Sequence, residues 1–153
     1  LMLLEEMDEV PNSVLDLGTG TGVLSIASCL LGAQYAVGMD CLEKAKFQFL
    51  NNVRANELED RCEYISGKTI QEAQMGCLLA GVPLPDLVLC NMLSTEFDEF
   101  LEPLSQWRKP MILSGFLEAE IQCVKSRLMD SGWQVSQMET HRDWAAFICV
   151  SCS

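Results

Sequence analysis

Asp16, Gly18, Gly20, Gly22 and Asp40 have the types and the spacing to hold a charged cofactor. The first four lie in Val14-Leu15-Asp16-Leu17-Gly18-Thr19-Gly20-Thr21-Gly22, an apolar run that breaks into alternate glycines. Such a run reads as a buried strand feeding a tight loop that opens a helix. Glycines let the backbone approach a ligand closely and take positive φ without a steric penalty. Asp40 closes a second apolar run, Val37-Gly38-Met39-Asp40, 22 residues after Gly18. Its two oxygens suit the two hydroxyls of a ribose, as acidic residues at this place do in nucleoside-binding α/β folds. A dinucleotide site carries G-x-G-x-x-G, with the pyrophosphate on the helix N-terminus. Here the glycines are one residue tighter, and Asp16 stands two residues before the first of them. That carboxylate repels a phosphate and attracts an ammonium or a sulfonium. The pattern favours S-adenosylmethionine over a nicotinamide dinucleotide. Asp16 can accept hydrogen bonds from the loop or, through water, from the cofactor's amino group. Gly18, Thr19, Gly20 and Gly22 make the rest of the expected cradle. A ligand-free β-to-α turn uses similar glycines, but Asp16 before it and Asp40 after it weigh against that reading.

The elements that must position these residues alternate between strand and helix, which predicts a parallel sheet covered on both faces. The first strand is expected over 13–17. The following helix is expected to bury Val23, Ile26, Ala27 and Leu30, spaced i, i+3, i+4, i+7, and to end at Gly32. A second strand is expected over 35–39, then a helix burying Leu42, Ala45, Phe49 and Val53. A third strand over 62–65 and a helix over 70–79 follow. Pro83 and Pro85 turn the chain into the apolar strand Asp86-Leu87-Val88-Leu89-Cys90. After Asn91-Met92-Leu93-Ser94, a helix stacks Phe97, Phe100, Leu101 and Leu104, with Pro103 kinking or shortening it. Met111-Ile112-Leu113-Ser114 is a fifth strand. Leu117, Ile121, Val124 and Leu128 make the next helix face, ended near Gly132. Runs over 133–139 and 145–150 flank His141-Arg142-Asp143 as an antiparallel pair. The expected architecture is a Rossmann-like seven-stranded sheet in the order 3-2-1-4-5-7-6. Ligands bind outside the C-terminal strand ends, where the order reverses between strands 1 and 4.

The chain has 153 residues, which suggests one domain over 1–153. A chain of this size buries roughly 70% of its unfolded surface, enough for a core without staples. No apolar run reaches the ~18 residues of a membrane span, and no cleavable signal is read at the N-terminus. The opening Leu1-Met2-Leu3-Leu4-Glu5-Glu6-Met7 reads as the tail of an amphipathic helix, so a domain cut from a longer protein is expected. Net charge is −12, from 22 acidic and 10 basic residues. That balance argues against direct binding of nucleic acid. It is compatible with a basic protein partner, and equally with acidity that serves only solubility. Eight cysteines in such a chain suggest a reducing compartment. Most fall in predicted elements as small apolar groups. Cys149 and Cys152 form one C-x-x-C, without the second pair or histidine that a zinc site needs. No metal site is expected.

Four stretches resemble the ribosomal-protein lysine methyltransferases of the PrmA type. They are Val14-Leu15-Asp16-Leu17-Gly18-Thr19-Gly20-Thr21-Gly22-Val23-Leu24-Ser25-Ile26-Ala27, Asp86-Leu87-Val88-Leu89-Cys90-Asn91-Met92-Leu93, Ile112-Leu113-Ser114-Gly115-Phe116-Leu117 and Trp144-Ala145-Ala146-Phe147. The first is common to many methyltransferases; the second and third are more specific. The resemblance implies that Gly18, Asp40 and Asn91 contact S-adenosylmethionine. It implies methylation of amino groups on ribosomal protein eleven of the large subunit; the expected setting is the cytoplasm, with an organelle as the alternative. It also implies that the family's N-terminal recognition domain and its threonine-containing cofactor loop would precede Leu1. The turn Lys109-Pro110-Met111 departs from the family in lacking glycines.

Methyl transfer from a sulfonium is an in-line displacement, so the protein mainly positions the nucleophile. Asn91 is the candidate catalytic residue, its side-chain oxygen accepting a hydrogen bond from the amine. His141 reads as a surface residue of a turn. Trp144 could border the substrate pocket, although packing on the sheet is the commoner role of such an aromatic. Competing readings are a small-molecule methyltransferase and a non-catalytic S-adenosylmethionine-binding module. A glutamine methyltransferase is disfavoured, because Asn91-Met92-Leu93-Ser94 stands where those enzymes carry Asn-Pro-Pro-Tyr.

Overall fold

The computed structural model describes residues 2–7 and 9–152. The element order is α1 (Met2–Glu5), β1 (Ser13–Leu17), α2 (Val23–Leu30), β2 (Tyr35–Asp40), α3 (Glu43–Ala55), β3 (Cys62–Ser66), α4 (Ile70–Ala80) and β4 (Leu87–Asn91). There follow α5 (Asp98–Ser105), β5 (Met111–Leu117), a 3-10 turn (Glu118–Glu120), α6 (Ile121–Asp130), β6 (Trp133–His141) and β7 (Trp144–Ser151). The seven strands run in the order β3-β2-β1-β4-β5-β7-β6, as expected. The chain divides into two compact units, Leu1–Leu89 and Cys90–Ser153.

In the first unit β1 pairs parallel with β2, Ser13 opposite Tyr35, and β2 pairs parallel with β3, Ala36 opposite Cys62. Every residue of β1 is buried, the apolar Val14, Leu15 and Leu17 together with Ser13 and Asp16. The predicted face of α2 is corrected. The helix buries Ser25, Ile26, Ser28 and Cys29, whereas Val23 is 58% and Leu30 65% exposed. Ser25 satisfies a buried carboxylate, and that polar demand turns the helix away from its apolar spacing. In α3, Ala45, Phe49 and Val53 are buried as expected, but Leu42 stands before the helix as its exposed N-cap residue. Thr69 and Glu72 cap α4 reciprocally, and left-handed Gly81 closes it. Of the expected N-terminal helix, α1 buries Leu3 and Leu4, while Leu1 lies outside the described residues.

In the second unit α5 buries Phe100, Leu101 and Leu104, with Phe97 buried just ahead of them. Pro103 lies inside this eight-residue helix, two residues before its end. Strand β5 runs three residues beyond the expected 111–114, because a bulge at Gly115 (φ 93°) carries the pairing on to Leu117 opposite Trp144. Leu117 is therefore a strand residue and not part of the α6 face, which is Val124 and Leu128. Trp133 is fully buried and donates its indole N–H to the Leu101 carbonyl at 2.8 Å. The rings of Phe116 and Phe147 meet at 4.9 Å. His141 is exposed. Trp144 opens β7 half exposed, paired with Leu117 and His141. Cys29, Cys62, Cys77, Cys90 and Cys149 are buried, and Cys41, Cys123 and Cys152 exposed. Among the described residues no helix is long and apolar enough to cross a membrane.

Candidate cofactor site

Between β1 and α2 the chain turns through Gly18, Gly20 and Gly22, with φ of 63°, 53° and 81°. All three sit in the left-handed region that favours glycine. The loop is fastened by Thr19 N–H to the Met39 carbonyl (3.0 Å), Gly22 N–H to the Thr19 carbonyl (2.9 Å) and Ile26 N–H to the Gly22 carbonyl (2.9 Å). Space matters as much as conformation at Gly22, where a Cβ would lie 2.6 Å from Phe49 Cδ2. At Gly38, inside β2, it would lie 2.4 Å from Phe49 Cε2 and 2.7 Å from Thr19 Oγ1. One buried ring from α3 thus fills the room left by two glycines. Sequence reasoning did not assign Gly38 or Phe49 to the site. A glycine within a strand is the signal of close approach that could have found the first.

Asp16 is only 1% exposed. Its Oδ2 accepts hydrogen bonds from Thr19 Oγ1 (2.6 Å), Ser25 Oγ (2.8 Å) and Ser25 N–H (3.1 Å). Burial pushes its carboxyl up to about 6, partly opposed by those donors and helped by the charge of Asp40. These donors come from the loop and from the start of α2. The Thr19 side chain is buried in this network, so its hydroxyl serves the loop. Ser25, fully buried, is a member that sequence reasoning missed. A carboxylate three residues from one hydroxyl and nine from another was its only signal.

Asp40 ends β2 half-buried. Its Oδ2 accepts from Gly20 N–H at 3.1 Å and its Oδ1 from Leu42 N–H at 2.9 Å. Each carboxylate oxygen has a second acceptor position for a ligand hydroxyl. Tyr64 donates its hydroxyl to the Asp40 carbonyl at 3.0 Å and fixes the strand end. The first unit therefore gathers the glycine loop, Asp16 and Asp40 in one place. Two carboxylates and a glycine backbone suit a ligand with positive charge and vicinal hydroxyls, and would repel a pyrophosphate. That donor set fits S-adenosylmethionine. Asn91 belongs to the second unit, where it is the exposed last residue of β4.

The strand order, with the loop after β1 and a carboxylate ending β2, defines the Rossmann-like fold of the methyltransferases. A ribosomal protein L11 methylase from Lactobacillus delbrueckii subsp. bulgaricus shares it, with a TM-score of 0.81 and 21% identity over 99% of this chain and 77% of that one. So does a Streptococcus pneumoniae structure in complex with S-adenosyl-L-methionine, with a TM-score of 0.74 and 16% identity over 99% and 71%. The family model "Ribosomal protein L11 methyltransferase (PrmA)" matches residues 1–151, and the chain belongs to that family. The ribosomal protein L11 methyltransferase of Halalkalibacterium halodurans is 30% identical over 97% of this chain and 46% of its own length. That of Fusobacterium nucleatum subsp. nucleatum is 29% identical over 95% and 46%. The chain spans about half the length of the curated relatives it matches.

Proposed function

We propose that this chain binds S-adenosylmethionine and transfers its methyl group to an amine of a ribosomal protein, with the L11 protein named by its relatives as the first acceptor to test. The observation that carries the reading is Asp40. It ends β2, holds the glycine loop through Gly20 N–H, and keeps acceptor positions for two ribose hydroxyls. Asp16 supports it from below, as a buried carboxylate that favours a cationic ligand above a phosphate. A net charge of −12 suits a basic protein acceptor better than a nucleic acid. A ribosomal acceptor places the chain where ribosomes are, in the cytoplasm or in an organelle with its own ribosomes.

S-adenosylmethionine supplies an electrophilic methyl group beside a positive charge. The chain supplies position. Asp40 and the backbone of Gly18, Thr19, Gly20 and Gly22 hold the nucleoside, while Asp16 keeps the loop in shape. A lysine amine must lose its proton before it attacks, and a dry pocket beside a cation lowers its pKa. Asn91 Oδ1 accepts a hydrogen bond from that amine and aims its lone pair. The experiment is calorimetry with S-adenosylhomocysteine and with NAD, followed by methyl transfer to recombinant ribosomal protein L11. The reading expects one site for the nucleoside thioether and no comparable binding of NAD. Comparable NAD affinity, or binding without transfer to any basic protein, would overturn it.

A further inference from the structure

An exposed asparagine has several rotamers, and one that aims an amine needs a single one. The second unit contains two devices that restrict Asn91. The first is the bulge in β5. A Cβ on Gly115 would lie 2.8 Å from Asn91 Oδ1, 2.4 Å from the Met92 carbonyl oxygen and 2.9 Å from its carbon. The missing side chain at Gly115 is therefore the seat on which the Asn91 amide and the next peptide rest. Met92 N–H fastens that seat by donating to the Ser114 carbonyl at 3.2 Å.

The second device holds the far end of the same turn. Glu120 Oε1 accepts the Ser94 hydroxyl, and its Oε2 accepts Leu117 N–H at 2.8 Å. One carboxylate thus ties the turn after β4 to the end of β5. Arg127 of α6 reaches the same turn, donating Nη1–H to the Ser94 carbonyl (2.6 Å) and to Asp98 Oδ2 (2.9 Å). Its guanidinium lies 4.8 Å over the Phe97 ring, so it is packed as well as paired. Ser94 and Leu117 N–H hold the Glu120 carboxyl below the usual range, with help from Arg127.

We propose that Gly115 and Glu120 are positioning residues for methyl transfer: Gly115 seats the Asn91 amide and Glu120 locks the turn that follows it. The proposal rests on Asn91 serving the amine, as argued above. The two residues act through Asn91, so their loss belongs in kcat.

The test uses the full-length protein with Glu120→Ala, Glu120→Gln, Gly115→Ala and Asn91→Ala. Three quantities are read: calorimetric affinity for S-adenosylhomocysteine, kcat and KM on ribosomal protein L11, and the ¹⁵N resonance of the Asn91 side-chain amide. Glu120→Ala should lower kcat about tenfold or more, the scale of a small misplacement. KM and product affinity should stay within about threefold of wild type, the signature of an effect on the transition state alone. Its Asn91 resonance should shift or broaden. Glu120→Gln should restore kcat to within about threefold, because its oxygen can accept Leu117 N–H while its NH₂ donates to the Ser94 hydroxyl. Gly115→Ala should displace the Asn91 resonance further. Wild-type kcat in folded Glu120→Ala, or an unmoved Asn91 resonance in both variants, overturns the proposal. So does a kcat loss that merely tracks the fraction unfolded. Wild-type kcat in Asn91→Ala instead overturns the reading beneath it. If no methyl transfer is seen at all, the resonance in Gly115→Ala still decides whether Asn91 is seated there.

Discussion

Asp16→Asn is the most direct probe of the buried network under the loop. Burial lifts the Asp16 carboxyl from 3.8 to about 6. That rise of about 2 pH units corresponds to about 3 kcal/mol, at ~1.36 kcal/mol for each. The folded chain therefore binds a proton that the unfolded chain has released between about pH 4 and pH 6. A group raised on folding contributes stability below its unfolded pKa and loses it as pH climbs through the folded one. Asparagine has no such titration, yet its side-chain oxygen can still accept from Thr19 and Ser25. The unfolding free energy of the variant minus that of the native chain should rise by about 3 kcal/mol between pH 2 and pH 7, most of it above pH 4. It should then stay level. Urea titrations at fixed ionic strength, followed by the fluorescence of buried Trp133, measure that difference. Subtraction removes the titration of the other carboxylates. A flat difference would refute the burial argument. A falling difference would show that the donors from Thr19 and Ser25 outweigh desolvation.

Asp40→Ala should weaken S-adenosylhomocysteine by more than about tenfold, since each charged hydrogen bond is worth ~1.5–3 kcal/mol. Circular dichroism should show the fold intact, and an unchanged dissociation constant would refute the ribose assignment. Asn91→Ala should lower kcat on ribosomal protein L11 while the urea midpoint stays near wild type. Equal turnover would reduce Asn91 to a strand-end residue. Gly22→Ala combines a φ of 81° with a Cβ placed 2.6 Å from Phe49. It should cost about 1–3 kcal/mol of stability in denaturant, and a neutral result would mean the ring yields freely.

The strands were legible because parallel strands buried on both faces are mostly apolar, as Ser13–Leu17 and Leu87–Asn91 are apart from Ser13, Asp16 and the terminal Asn91. The loop was legible because alternate glycines have few other uses beside a carboxylate. What escaped were choices made by polar groups and by empty space. Apolar spacing put Val23 and Leu30 inside, but the demand of Asp16 for Ser25 turned α2 the other way. Leu117 fits a helical stripe equally well, and only the bulge at Gly115 keeps it in β5. Asp16 announces charge and hydrogen bonds from its loop, but not that Ser25 of α2 supplies two of the donors. The depth of Trp144 depends on pairing at the sheet edge, which no local spacing encodes.

Phe49 has a consequence for anyone who would transplant this site. Its ring stands where side chains at positions 22 and 38 would otherwise be. The three positions lie on a loop, a strand and a helix, yet they behave as one mechanical part. Mutations there should be strongly epistatic: a smaller residue at 49 takes the ring away from a Cβ at Gly38, and Thr19, whose Oγ1 would lie 2.7 Å from that Cβ, must yield as well. The glycine loop is thus not a portable cassette. Grafted onto another sheet without its aromatic wedge, it would keep the right backbone letters and lose the pressure that shapes them.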